Sequence, residues 1–224
     1  MRSKLLALAL ALSCCGAGAA ESVRDQEIAE CRPGEIATWA DGRDRAALSN
    51  PLLFVYWHAG APAWFSSAQL MAVLKRASRA WGDCGVKSQV IALLGNAELP
   101  PDAVVVQWSE EGSKGNFGLA NLGQRTLALS PAMFQLLRTR NPSYPAEQTL
   151  QMVVSHEMGH FFGLMAHSRR CVDVTSYYND GKGGSCYARD LSQLKSVVEY
   201  RSILPTACDI QRCRIANGLN AEAP

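Results

Sequence analysis

Histidine is scarce in this sequence, with four in 224 residues, and a single charge sign does not dominate it. Lysine and arginine number 22 against 20 acidic residues. Removing Arg2 and Lys4 with the first twenty residues leaves 20 basic against 20 acidic side chains. Such balance gives neither an electropositive groove nor a polybasic face, which excludes nucleic acid and anionic membrane surfaces as expected partners. Internal repeats and low-complexity tracts are also missing. A long apolar run is lacking too: Leu5 to Leu12 is too short to span a bilayer.

What that short run does resemble is the core of an export signal. Arg2 and Lys4 precede it, and small residues ending in Ala17-Gly18-Ala19-Ala20 follow, so residues 1–20 are expected to be a cleaved signal peptide. Cys14 and Cys15 leave a lipoprotein as the minor alternative, since Ala11-Leu12-Ser13 is a poor lipobox. The chain is therefore expected in the periplasm or outside the cell, without a membrane anchor. The roughly 200 residues that remain suffice for one domain with its own core.

Of the eight cysteines, six lie beyond the leader, an even number that reads as three disulfides in an oxidising compartment. Four of the six cluster late in the chain. The expected pairing is Cys31 with Cys84, Cys171 with Cys186, and Cys208 with Cys213, with other pairings open.

Three of the four histidines fall in one window, His156-Glu157-Met158-Gly159-His160-Phe161-Phe162-Gly163-Leu164-Met165-Ala166-His167. On a helix, residues four apart share a face, so His156 and His160 can turn their rings toward one ion with Glu157 beside them. Zinc takes imidazole nitrogen readily, and a catalytic site keeps three protein ligands and an open fourth position. His167 is the expected third ligand. Asp173 competes with it, because zinc also accepts carboxylate oxygen.

This run resembles the signature of the metzincin metallopeptidases, H-E-x-x-H-x-x-G-x-x-H followed by a Met-bearing turn. His156, Glu157, His160 and Gly163 match by position, and Leu164 with His167-Ser168 is most similar to the matrixin branch. Two departures stand out. His167 falls one residue late, and Thr175 occupies the position where the Met is expected.

The resemblance implies the rest of the site. Glu157 would act as general base, and Tyr177 would sit where other branches place a tyrosine beside the reaction oxyanion. Phe117-Gly118-Leu119-Ala120-Asn121 would be the edge strand that pairs with an extended polypeptide substrate. The implied activity is that of a secreted or periplasmic zinc endopeptidase with one catalytic zinc. A metzincin-like binding module without turnover, or a domain with a purely structural zinc, is the alternative. The loop Asn179 to Gly184 could also take calcium weakly, though nothing in it selects that role. The protein is expected to be a monomer.

Pattern reading places the elements in a matching order. Leu52 to Trp57 is strand-like, and the lone His58 that ends it has no expected metal role. Ser66 to Gln69 is a capping box opening a helix with Leu70, Val73, Leu74, Ala77 and Trp81 on one face. Ser88 to Leu94 and Ala103 to Trp108 read as buried-type strands, and 117–122 with 125–129 as a hairpin. The helix carrying the motif is expected over about 145–163, starting at Pro145. The expected fold is α+β and metzincin-like: a twisted mixed five-stranded sheet, two long helices, and a small irregular C-terminal subdomain over about 164–218 that ends in a helix. Residues 21–50 are read as an N-terminal extension, 51–218 as the catalytic domain and 219–224 as a tail.

Overall fold

The computed structural model describes residues 22–93 and 97–219. The expected leader, with Cys14 and Cys15, and residues 220–224 of the tail lie outside the described residues. Five strands, β1 (Leu52–Trp57), β2 (Ser88–Ala92), β3 (Val104–Trp108), β4 (Gly118–Asn121) and β5 (Thr126–Leu129), form one sheet in the order β2-β1-β3-β5-β4. β1 pairs in parallel with β2 and β3, β3 with β5, and β4 alone runs antiparallel, against β5. The sheet is thus mixed, and β4 is its free edge beside the motif.

The described helices are α1 (Val23–Ala29), α2 (Ser67–Gly82), α3 (Glu110–Ser113), α4 (Pro131–Arg140), α5 (Ala146–Phe161), α6 (Leu191–Leu194) and α7 (Ala207–Ala216). α2 and α5 are the two long ones, at 16 residues each. At the start of α2, Ser66 and Gln69 exchange the two hydrogen bonds of a capping box, which satisfies donors that a helix end otherwise strands. Its Leu70, Val73, Leu74, Ala77 and Trp81 are all buried, as their spacing predicts. Trp81 also donates its indole N–H to the Ser155 carbonyl at 2.9 Å, which fixes α2 against α5.

Three sequence expectations need correction here. β2 is not a buried-type strand: it lies at the far edge, its side chains alternate in burial, and Ile91 is 41% exposed. An edge strand has a neighbour on one side only, so its apolar residues are covered less completely. α5 begins at Ala146, with Pro145 as its cap residue, and ends at Phe161, two residues short of the expected end. α4 was not foreseen, although Ser130 accepts from the Met133 N–H and Pro131 opens the helix, a start signal present in the sequence.

The disulfides are also partly different. Cys171 pairs with Cys186 as expected, but Cys31 joins Cys208 and Cys84 joins Cys213. Proximity in sequence misled the other two pairings, because α7 folds back under the sheet-and-helix core and brings both its cysteines to distant partners. The closed loops, 177 and 129 residues apart in sequence, are of the size whose closure removes most entropy from the unfolded chain.

Residues 22–50 are not peripheral. α1 docks through the buried Glu27, whose carboxylate accepts from the Tyr200 hydroxyl at 2.6 Å and the Arg189 N–H at 2.9 Å. Residues 37–48 then run along the loop after α5. Arg169 N–H donates to the Ala37 carbonyl, Trp39 N–H to His167, Arg45 N–H to Gly163 and Leu48 N–H to Phe161.

Candidate metal centre and cleft

α5 sets two of the three histidines. Its apolar face packs on the sheet, with Leu150, Val154, Met158 and Phe161 fully buried, and Phe54 of β1 meets Phe161 edge-on at 5.8 Å. The opposite edge turns His156, Glu157 and His160 toward β4. The helix stops where Gly163 takes φ of 106°, a conformation that L side chains rarely adopt. A Cβ there would also collide with the Arg45 carbonyl oxygen, so the upstream strap and the helix end both require glycine.

The turn brings His167 back to the helix. His156, His160 and His167 form one group whose ligand atoms all lie within 4.8 Å of one another, with ring centroids 5.2 to 5.3 Å apart. The one-residue delay is absorbed in the loop, where the Met165 and Ala166 N–H groups donate to Asp44 Oδ1 at 2.8 and 3.0 Å. Arg212 holds Asp44 in turn, at 2.7 Å, and donates to the Ala166 carbonyl.

Each ring has one nitrogen already committed. His156 Nδ1 faces the Val174 carbonyl at 2.8 Å and His160 Nδ1 the Leu164 carbonyl at 2.7 Å. A carbonyl can only accept, so both Nδ1 atoms carry the proton and both Nε2 atoms present lone pairs. His167 differs: Asp41 accepts its backbone N–H at 2.9 Å and its Nδ1 at 2.6 Å. Its Nε2 is buried and has no hydrogen-bond partner among the described residues. Three neutral imidazoles with Nδ1 pinned and Nε2 free are a donor set suited to zinc, and the orphaned Nε2 marks where an ion fits.

Burial agrees with neutral rings. It depresses His156 well below the usual imidazole range, assisted by the neighbouring His160 and His167, and brings His160 down to about 4. His167 is lowered as well, again by burial, despite the carboxylate beside it. Burial alone would raise the Asp41 carboxyl, but the hydrogen bonds from His167 outweigh it and hold Asp41 below the usual range. The pair is a carboxylate accepting from a neutral imidazole.

Glu157 stands beside the three histidines without joining their group. Its Oε2 accepts the Ala120 N–H of β4 at 2.8 Å, and burial pushes its carboxyl up to about 7. In antiparallel pairing the outward-facing groups belong to alternate residues. The Phe117 carbonyl bonds inward to Ser130, so Gly118 and Ala120 are the β4 residues whose backbone faces outward. Gly118 is also a close-approach position: a Cβ would come within 2.6 Å of Val153 Cγ1 and 2.9 Å of Glu157 Cγ.

A cleft of about 250 Å³ runs between β4 and the 177–201 segment over these groups. Phe117, Gly118, Leu119 and Ala120 line one wall, with Asn116; Asn121, expected with them, is not part of the lining. The three histidines and Glu157 form the floor, and Tyr177 with Arg201 the other wall. Tyr177 is 45% exposed and stacks on the His167 ring at 3.7 Å between centroids. Burial, then the charges of Glu157 and Asp41, keep its hydroxyl protonated above the ordinary range.

Thr175 sits under the ligands where the sequence places it, fully buried with its methyl toward Gly159. A hydrogen-bonded floor replaces the expected methionine. Thr175 donates to Asp209 Oδ1 at 2.6 Å, and Asp209 Oδ2 accepts the Val174 N–H at 2.9 Å. Asp209 is also the capping-box residue of α7, so that helix holds the segment whose Val174 carbonyl orients His156. Asp173, the competing ligand, points elsewhere: Arg170 at 3.0 Å, Ser168 and Thr206, both at 2.6 Å, take up its carboxylate.

Asp41, Asp44, Asp209 and the cleft-wall Arg201 are site residues that sequence reasoning missed. A lone carboxylate in a loop has no periodic or spacing signature, and the Asp41 partner lies 126 positions away. Asp180 of the glycine-rich loop spends Oδ1 on the Lys182 and Gly184 N–H groups, so nothing there points to calcium. The other candidate metal group among the described residues, Cys31, Glu35 and Cys208, contains a disulfide and has no free thiolate.

The chain matches no protein-family model and no curated protein. Among solved structures it is similar to the GM1-bound form of the ECX AB5 holotoxin, with TM-score 0.50 and 11% identity, covering 79% of this chain and 87% of that one. It is also similar to archaemetzincin (amzA) from Methanopyrus kandleri, with TM-score 0.39, 18% identity and coverage of 74% and 96%. A zinc-dependent peptidase from Methanocorpusculum labreanum gives TM-score 0.37, 14% identity and coverage of 74% and 99%. At 11% identity, the likeness to the holotoxin is one of fold alone.

Proposed function

We propose that this protein is a zinc-dependent endopeptidase of metzincin type, acting on polypeptides in an oxidising compartment outside the cytosol. The observation that carries the reading is the convergence of three Nε2 lone pairs beside a carboxylate that is not a ligand. His156, His160 and His167 would hold the ion, and zinc bound there would supply a Lewis acid that polarises a carbonyl and acidifies water. A closed structural site takes a fourth protein donor, and among the described residues this group has three members, which favours the catalytic reading.

The chain's own groups supply the proton chemistry. Glu157, at about 7, can take a proton from the attacking water and return it to the leaving amine near neutral pH. Ala120 N–H anchors Oε2, so the carboxylate is aimed while Oε1 is left for the water. Tyr177 offers a phenol donor toward developing negative charge at the substrate carbonyl. The Gly118 N–H and the Gly118 and Ala120 carbonyls, which face outward, can pair with an extended substrate, while the Ala120 N–H stays with Glu157. The three disulfides support export, since such bonds persist in oxidising compartments, and no described helix is long and apolar enough to cross a membrane. The matrixin-like flanks of the motif, Leu164 and His167-Ser168, do not by themselves assign a branch.

The test is hydrolysis of a diverse peptide mixture by the purified protein. Cleavage that a zinc chelator abolishes and added zinc restores is the expected result. A zinc-loaded, folded protein that cleaves nothing would contradict it.

A further inference from the structure

Arg201 lies in the cleft wall and continues into a second cavity of about 280 Å³. Met152 and Arg201 line both spaces, so the second adjoins the cleft at these two side chains. It is walled by the first turns of α5, by residues 198–203 and by Arg24 of α1. The lining charges are Arg24, Arg201 and Glu199, two cations and one anion, which leaves a net charge of one positive.

Glu199 is already spent. It takes Arg201 Nε and Nη2 at 3.0 and 2.8 Å, along with the Tyr178 hydroxyl. Arg24 has no acidic partner among the described residues; its Nε and Nη2 donate to the Tyr200 and Arg201 carbonyls, both at 2.9 Å. Neither Arg24 Nη1 nor Arg201 Nη1 donates to any described protein group. Two arginines, each with Nη1 unspent, therefore line a cavity whose other walls include Met152 and Val198. The position of Arg24 is fixed, because buried Glu27 docks α1 against Tyr200 and Arg189.

The geometry points to this cavity as a subsite for an acidic substrate side chain, a glutamate or aspartate close to the scissile bond. An apolar stem would lie along Met152 and Val198, and its carboxylate would reach the open guanidinium edges in charge-assisted hydrogen bonds. A basic side chain meets net positive charge. An apolar one strips water from two donors and returns nothing. This assignment rests on the peptidase reading above and adds the class of substrate to it.

Matched peptides carrying Glu, Gln, Leu or Lys beside the mapped cleavage site test both. The expected kcat/KM for Glu exceeds that for Gln by about tenfold or more, since a site built around polar groups discriminates against an analogue that leaves them unpaired. In Arg24→Gln that ratio is expected to fall severalfold, and Arg24→Lys keeps part of the preference. Equal cleavage of the Glu and Gln peptides, or a Glu preference unchanged in a folded Arg24→Gln protein, overturns the subsite alone. No cleavage of any peptide by zinc-loaded protein overturns the peptidase reading, and the subsite with it.

Discussion

His156 and His160 reach the candidate metal centre on a helix, whereas His167 reaches it on a loop, and the two kinds of histidine are held differently. The helical pair is placed by α5, and its rings are oriented by backbone carbonyls of Val174 and Leu164. The loop ligand is placed by Gly163 and by an upstream strap, and its ring is oriented by the Asp41 carboxylate. A helix specifies its ligands by local spacing. A loop ligand is specified by whatever packs over the loop, which here comes from far away in sequence.

The largest effect is expected at the loop histidine itself. His167→Ala is expected to lower zinc occupancy and activity sharply, while Asp173→Asn leaves zinc bound, as measured by metal content after dialysis. The reverse pattern would move the third ligand to Asp173.

Next in size is Gly163→Ala. Positive φ and the Arg45 carbonyl both oppose a Cβ, so the substitution should cost about 3 kcal/mol or more of stability, read by urea unfolding. A cost equal to that of an exposed-loop substitution would mean that the strap does not set the loop.

Asp41→Asn acts on the orientation of the loop histidine alone. Loss of a carboxylate that orients a ligating histidine typically costs about 10- to 100-fold in metal affinity. Competition with a chromophoric chelator should show that loss with a smaller change in the unfolding midpoint of the metal-free protein, because the Asp41 side chain lies at the surface, 36% exposed. Thr175→Val is expected to be milder, about 1–2 kcal/mol, because it removes one buried donor from Asp209 and keeps the side-chain shape. A neutral result in denaturant unfolding would remove the polar floor from the account.

The same contrast explains what could be read in the sequence. His156, Glu157, His160 and Gly163 were legible because helix periodicity and a turn requirement are local rules. So were the five strands in their succession along the chain, the β4–β5 hairpin and the capping box of α2. Asp41 and Asp44 were not, since a strap is defined by tertiary packing. Nor were the Cys31–Cys208 and Cys84–Cys213 bonds, which join segments that only the folded chain brings together. The polar answer to the missing methionine needed Asp209 in α7 to be seen beneath Thr175.

The central claim is that Glu157 works on water beside an ion that it does not bind. Metal content and peptide turnover measured together on Glu157→Gln test it most directly. Zinc should stay near one per chain while kcat falls by about a hundredfold to ten-thousandfold. Parental turnover in a zinc-loaded variant would contradict the assignment.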